Sequence, residues 1–435
     1  MDATTATPGA DVADDPGGVM PRWARAAVFV SLALTFWTYG LVELLMERTG
    51  LPGTLLAFLM HLPLHAAAAL GITRVRMSPA LSWMAALCAA LSASSFLGEF
   101  VWDGILRCTA MPTVLSWAVV FAAWPSELPR TFRWCLGLSA LMLALEALDK
   151  DFFPRPSFML AFLTLGLYVH LRVTGRLSPK LVAWGMVLLP LILAVIIRST
   201  FRAASFAAMG VLLWGFARMW EGRVALVLAV ALGGAYVAAA PTAEPSYSRE
   251  VARDDYVNRF RTVDEDRFSG RSDIWEGLWA DIKTQPAWLM TGLGYGDIDV
   301  HVARANPQLH AVNRRGTPVL HTHNQVLDIL LATGLPGIRL TLAVVVACAR
   351  RSSLRDPTLV YGLGLALVGT ANVLLTDASG STAALGLYLS WFGATGRAPA
   401  GYSVAKAWSG MSMGEVSARS STLPMDSTAG STLRA

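Results

Sequence analysis

The chain has 435 residues, of which 54% are hydrophobic and only 15% charged, and its mean hydropathy is positive. That composition excludes an ordinary soluble enzyme, and a net charge of +5, dispersed along the chain, excludes a nucleic-acid partner. The apolar runs are continuous and rich in Leu and Ala rather than alternating. Many approach the roughly 20 residues a helix needs to cross a hydrocarbon core, and in lipid all backbone groups must pair internally. The expected fold is therefore all-α: a polytopic integral membrane protein of about 12 transmembrane helices.

In chain order, residues 1–23 read as an acidic, Gly/Pro-rich cytoplasmic tail that is disordered and lacks the basic start of a cleaved signal peptide. Nine spans follow within 24–240, near 24–46, 51–73, 78–101, 105–124, 132–149, 157–173, 180–197, 202–219 and 223–240, with the boundaries around Gly50 and Pro125 the least defined. A hydrophilic loop occupies 241–320, spans ten to twelve (322–348, 357–376 and 381–396) lie within 321–397, and 398–435 is a disordered Ser/Thr/Gly-rich tail. Basic residues of short loops favour the cytoplasm. Arg74 and Arg76, Arg130 and Arg133, Arg172 and Arg176, Arg218 and Arg223, and Arg350 and Arg351 all fall on one side of the membrane. This alternation puts both termini in the cytoplasm and the long loop outside it. Arg107 falls in a short outside turn near Asp103.

The turn "IIRSTFRAAS" breaks the pattern by placing Arg198 and Arg202 on the outer side. Arginine at a membrane boundary either snorkels or serves a function. Both readings stay open for Arg198. The small residues after Arg202 permit close helix packing and favour function there.

In the long loop, Ile274, Trp275, Leu278, Trp279 and Ile282 recur at helical spacing in "FSGRSDIWEGLWADIKTQPAWLMTGLGYGD". They predict an amphipathic helix, capped by Ser272 or Asp273, that lies on the membrane face or covers a cavity. Arg271 stands just ahead of the predicted start, where backbone N–H groups also point outward. It is either a phosphate ligand or a solvated residue of the cap. "GLGYG" has no strand before it and reads as a tight turn rather than a nucleotide fingerprint.

His61 and His65 lack a third ligand nearby and read as buried hydrogen-bonding residues, and Cys88, Cys108, Cys135 and Cys348 read as packing residues, so no metal is expected.

At "HTHNQVLDILLATGLPGI" a helix starting near Thr322 puts His323, Leu327, Leu330, Gly334 and Gly337 on one face, with the glycines allowing close packing on a neighbouring helix. Asn324 and Asp328, one turn apart, can bond each other or orient the imidazole. His323 then either caps the helix or acts as a general base, a role suited to an imidazole with its ordinary pKa of about 6.5.

Taken together, the spacing His323-Asn324, nine residues, Gly334-x-x-Gly337 resembles the C-terminal signature of the O-antigen ligase and polymerase superfamily, whose members carry one large periplasmic loop just before it. "STFRAAS" resembles that family's S-x-S-R-G/A stretch with Phe201 in place of a serine. Gly270, Arg271 and Trp275 of "SGRSDIW" match its GR-x-x-x-W, and Pro286 with "TGLGYG" resembles the turn that follows. The likeness covers residues 198 to 340 and rests on topology before that. Ile338 stands where a small or aromatic residue is commoner, and Arg339 in mid-span has no counterpart in the pattern.

The resemblance implies a metal-independent glycosyltransferase without cofactor in the bacterial inner membrane, working on the periplasmic face. Its donor would be a glycan on undecaprenyl pyrophosphate and its acceptor the lipid A-core. His323 would be the base, Arg202 and Arg271 the pyrophosphate ligands, Arg198 a companion, and Asn324, Asp328 and Trp275 supporting residues. Membrane lipids are the other partners, and the oligomeric state stays open. An O-antigen or exopolysaccharide polymerase and a protein O-oligosaccharyltransferase share the donor and differ in acceptor. A transporter would show internal repeats and paired broken spans, which the sequence lacks.

Overall fold

The computed structural model describes residues 19–51, 53–148, 154–185, 223–224, 227–228, 231, 271–306, 311–312, 318–319, 322, 324–350, 361–366 and 380–393. These are mostly helical, with connecting turns and a ladder of two antiparallel pairs, Ala311 with Val319 and Val312 with Pro318. The expectations for Arg198, Arg202, His323 and the spans at 180–197, 202–219, 223–240 and 357–376 lie wholly or mostly outside the described residues.

The first helix, α1 (Arg22–Thr49), is 28 residues long. At 1.5 Å per residue it extends roughly 42 Å, enough to cross a bilayer. It ends at Gly50, whose positive φ of 69° makes the turn. The expected span 51–73 is divided into α2 (Gly53–Met60) and α3 (Leu62–Gly71) at His61, because Pro63 in the first turn of α3 has no N–H to continue the ladder. Helix α4 (Pro79–Ser94) starts where Ser78 Oγ accepts the Leu81 N–H at 3.2 Å. It stops short of the expected 101 in a turn at Ser95–Leu97.

Helices α5 (Val101–Cys108) and α6 (Met111–Ala123) are separated by Thr109–Ala110, with Pro112 in the first turn of α6. A 3-10 turn at Pro125–Glu127 leads into α7 (Leu128–Leu148), and α8 (Pro154–Val173) follows. Later in the chain come α9 (Arg271–Thr284), α10 (Ala287–Thr291), α11 (Ile298–Ala305), α12 (Gln325–Thr333), α13 (Leu335–Ala349) and α14 (Gly380–Gly393). Among the described residues one helical stretch, Val101–Ala123, is long and apolar enough to cross a membrane. Pro79–Ser94 and Leu335–Ala349 are shorter apolar helices.

The core interleaves the two ends of the sequence. Helix α6 packs against α14 and α3, and α4 packs against α13. Trp117, Trp124, Phe132, Phe162, Tyr168 and Tyr361 are fully buried. Gly386 lets α14 approach so closely that a Cβ there would sit 3.0 Å from the Ala118 nitrogen and the Val114 oxygen, the small-residue contact expected of packed apolar helices.

At the C-terminal end of α6, Arg25 and Arg130 both bond Glu127, at 2.7 and 2.6 Å, and Arg74 lies over the Trp124 ring. The loop helices gather at its other end, around α5. His65 Nδ1 bonds Ser116 Oγ at 2.8 Å and its ring stacks on Phe58, so this histidine is a hydrogen-bonding residue of the packing. Cys88, Cys135 and Cys348 are buried as free thiols.

The loop helices form a layer of their own. Ile274, Leu278 and Ile282 of α9 are buried in the core with Ile298, Val302 and Ala303 of α11. The apolar stripe of α9 therefore faces protein, which goes against the first of the two expected placements, the membrane face, while Trp279 on its other side is exposed. Full burial of each such aliphatic side chain favours folding by about 1.5–3 kcal/mol, so the layer is held firmly. As described, the helix already includes Arg271, so Ser272 and Asp273 lie within it rather than at its cap, and Arg271 does not precede it.

Candidate functional site

The site is built around a helix start and a helix break nine residues apart in sequence. At the start, Asn324 takes an extended backbone conformation and its side-chain oxygen accepts the N–H groups of Val326 (2.9 Å) and Leu327 (3.1 Å). This is an N-cap, a role for Asn324 beside the two that the sequence leaves open, pairing with Asp328 or orienting the imidazole. Asp328, only 3% exposed, instead accepts the hydroxyl of Thr322. Thr322 Oγ1 also accepts the Asn324 N–H at 3.1 Å, and the Thr322 carbonyl accepts the indole N–H of Trp275 at 2.9 Å. The two neighbours of residue 323 are each tied down, one from α9 and one from within α12.

Removing the indole donor leaves a buried carbonyl without that partner, a loss of about 1–3 kcal/mol. Trp275→Phe is expected to lower the thermal midpoint of the full-length protein measurably and to slow turnover several-fold. Thermal unfolding and a transfer assay on the same preparation check both.

The expected single span 322–348 is two helices. Gly334 has φ 65° and ψ −154° and separates α12 from α13, with Pro336 in the first turn of α13. Breaking a helix frees carbonyls at its end, and buried ones need donors. The loop turn supplies them: Leu293 N–H bonds Leu331 O at 2.6 Å and Gly294 N–H bonds Ala332 O at 3.2 Å. Gly292 and Gly294 both have positive φ, so "GLGYG" is a tight turn as expected, and its role is to cap the broken helix.

Gly334 allows the close packing on a neighbouring helix that the sequence predicts, with α10 as the partner, whereas Gly337 meets Thr333 and Ile329 of α12. A Cβ on Gly334 would lie 2.7 Å from the Met290 carbonyl carbon in α10, and one on Gly337 would overlap the Thr333 hydroxyl.

On its far side the turn meets the α4–α5 corner. Asp297 accepts the N–H of Glu99 at 2.9 Å and of Phe100 at 2.8 Å. A Cβ on Gly98 would collide with that carboxylate, and one on Gly104 would lie 2.9 Å from the Gly296 nitrogen. Hydrogen bonds to a charged acceptor contribute about 1.5–3 kcal/mol each when shielded, less at this half-exposed corner. Asp297→Ala is therefore expected to destabilise the protein by roughly 1–3 kcal/mol, and Asp297→Asn by about half as much because one oxygen acceptor remains. Denaturation midpoints of the two variants test the order.

Arg107 completes the junction. Its guanidinium donates to the Tyr295 carbonyl at 3.2 Å, pairs with Asp299, and lies 5.4 Å from the Tyr295 ring centroid. Asp328 is within electrostatic reach of both Arg107 and Tyr295. Burial pushes the Tyr295 phenol well above its ordinary value against the pull of Arg107, so it stays neutral. His301 on α11 bonds Asp281 of α9 at 2.9 Å, and burial lowers its pKa despite that carboxylate.

Of the residues singled out from sequence, Trp275, Asn324 and Asp328 converge here, and the Arg271 helix is carried on the same layer. The residues sequence reasoning missed are Arg107, Asp297, Asp299 and Thr322. Only Asp297 had a local signal, as the acidic residue closing the glycine turn.

The chain is thus a helical protein in which an outer loop layer caps an interrupted helix, with a polar junction at the helix start. Residues 186–342 match the family described as O-antigen ligase, which supports the O-antigen ligase superfamily for that segment. Proteins of that family are membrane proteins and glycosyltransferase-like enzymes of ligase or polymerase type, with lipid-linked glycans as substrates. No curated protein and no solved structure matches the chain.

Proposed function

We propose that this protein is a glycan ligase of the bacterial inner membrane, with the loop 241–320 and the site on the periplasmic face. It would move a glycan from undecaprenyl pyrophosphate to the lipid A-core. The observation that carries this reading is the convergence of three segments that resemble the family in sequence. Trp275 of "GRSDIW" bonds the Thr322 carbonyl, and the "TGLGYG" turn caps the helix that follows His323-Asn324. Segments that form one mechanical unit support a shared role better than any of them does alone.

In the reaction, His323 takes the proton of the acceptor hydroxyl and the oxygen attacks the anomeric carbon. The bond from that carbon to the pyrophosphate oxygen breaks, and undecaprenyl pyrophosphate leaves. Arg202 and Arg271, with Arg198 beside them, offset the charge that develops on the leaving group. Arg107 is already engaged with Asp299 and the Tyr295 carbonyl, so the pyrophosphate charge falls to these other arginines.

The test uses the purified full-length protein with an undecaprenyl-pyrophosphate-linked glycan and three acceptors: lipid A-core, a glycan of the same repeat, and a protein. Transfer to lipid A-core is the expected result. Transfer only to the glycan or only to the protein makes the enzyme a polymerase or an O-oligosaccharyltransferase, and no transfer to any of them sinks the reading.

A further inference from the structure

We propose that Arg107 is a positioning residue for glycan transfer, locking the loop turn to the corner of α5 so that α12 holds Thr322 and Asn324, the two neighbours of the base, in one place. This rests on the reading of His323 as the base.

The geometry is a linked series. Helix α5 is joined to the turn at two points: Asp297 holds the backbone N–H groups of Glu99 and Phe100 at its start, and Arg107 reaches Tyr295 and Asp299 from its last turn. Gly104 lies between them, flush against Gly296, so nothing separates the two backbones. The turn is joined in the same way to the far end of α12, through the Leu331 and Ala332 carbonyls. Helix α12 is one unbroken run of nine residues, so a shift of the turn at its C-terminal end is passed along it to Thr322 and Asn324 at the other. Asp328, which bonds Thr322, also feels Arg107.

Arginine suits this place for a physical reason. Its planar fork reaches a carboxylate and a carbonyl at once while its face rests near an aromatic ring, and an ammonium cannot do all three. The Arg107 and Asp299 side chains are only 16% and 14% exposed. Ion pairs so far from solvent add little net stability compared with packed apolar residues, but they specify register. The role argued for Arg107 is therefore orientation, exerted through the turn and α12, with no contact to substrate.

The test compares wild type with Arg107→Lys, Arg107→Gln and the paired change Arg107→Met with Asp299→Leu, all as full-length protein in lipid nanodiscs. Per folded molecule, kcat is expected to fall several-fold in the lysine variant. It should fall about 10- to 100-fold in the glutamine and paired apolar variants, as misplacement of a catalytic group does. The KM for the lipid-linked donor should stay within about two-fold. Amide hydrogen exchange across residues 322–333 should quicken in the glutamine variant and stay unchanged in α6.

The paired apolar variant keeps the packing and removes the register. If its kcat equals that of wild type, or if exchange across 322–333 is unaltered in the glutamine variant, the proposal is overturned. Failure of all three variants to fold overturns it too, since Arg107 would then be purely structural. A wild type that transfers no glycan sinks the functional reading instead, and the exchange measurement still decides the positioning.

Discussion

Gly334→Ala is expected to remove a large part of the folded stability and, with the junction displaced, most of the activity. The backbone there has φ 65° and ψ −154°, a region essentially reserved for glycine that costs another residue about 1–3 kcal/mol. The added Cβ would also press 2.7 Å from the Met290 carbonyl carbon and 2.8 Å from the Leu289 oxygen. Forcing backbone apart in a packed junction costs about 1–3 kcal/mol more. The sum, roughly 2–6 kcal/mol, is a large part of the 5–15 kcal/mol a folded protein has available. Gly50→Ala is the matched control: φ is 69° there too, but a Cβ would meet nothing within 4 Å. It is expected to lose only about 1–2 kcal/mol and keep its activity. Thermal unfolding and transfer rates of the two variants, measured side by side, check the contrast.

His323→Ala is expected to reduce kcat by about 10²–10⁴, the usual contribution of a general base, while the protein still folds. The bonds that hold Thr322 and Asn324 in place are made by Trp275, Asp328, Val326 and Leu327, and these remain in the variant. Arg271→Ala should lose about 2.7–4 kcal/mol of transition-state stabilisation if its guanidinium faces the leaving pyrophosphate. Arg202→Ala should behave alike. Rates equal to wild type in the histidine variant would remove the base from the mechanism. The same result in both arginine variants would remove the pyrophosphate site.

Several elements were legible in the sequence because their causes are local. The expected start of the third span at residue 78 is where α4 begins, with the Ser78 hydroxyl as its cap. Gly50 and Pro125, the least defined boundaries, are where a positive-φ glycine and a 3-10 turn divide the helices. The helical spacing of Ile274, Leu278 and Ile282 gave α9, and the paired glycines gave the tight turn at Gly292–Gly294.

What these patterns left open was the partner. An apolar stripe looks the same whether it meets lipid or another helix, so the spacing leaves both partners open for the face of α9, and in the fold α11 covers it. The run "LLATGLPGI" is apolar enough to read as an unbroken span. It divides at Gly334 because the freed carbonyls of Leu331 and Ala332 find donors in Leu293 and Gly294.

By itself, then, the sequence determined a helical, apolar chain, the pairing of an HN-x9-GxxG signature with a glycine turn in a long loop, and through these the family of residues 186–342. Each rests on composition or on spacing along the chain, which a linear pattern contains. Only the tertiary structure decided that the turn caps the broken helix, that Asn324 is an N-cap while Asp328 holds Thr322, and that Arg107 is a buried member of the junction. Arg107 and the Tyr295 carbonyl it bonds are 188 residues apart. A lone basic residue at the end of an apolar run shows whether it is solvated or paired only when the fold brings its partners, here Asp299 and Tyr295, beside it.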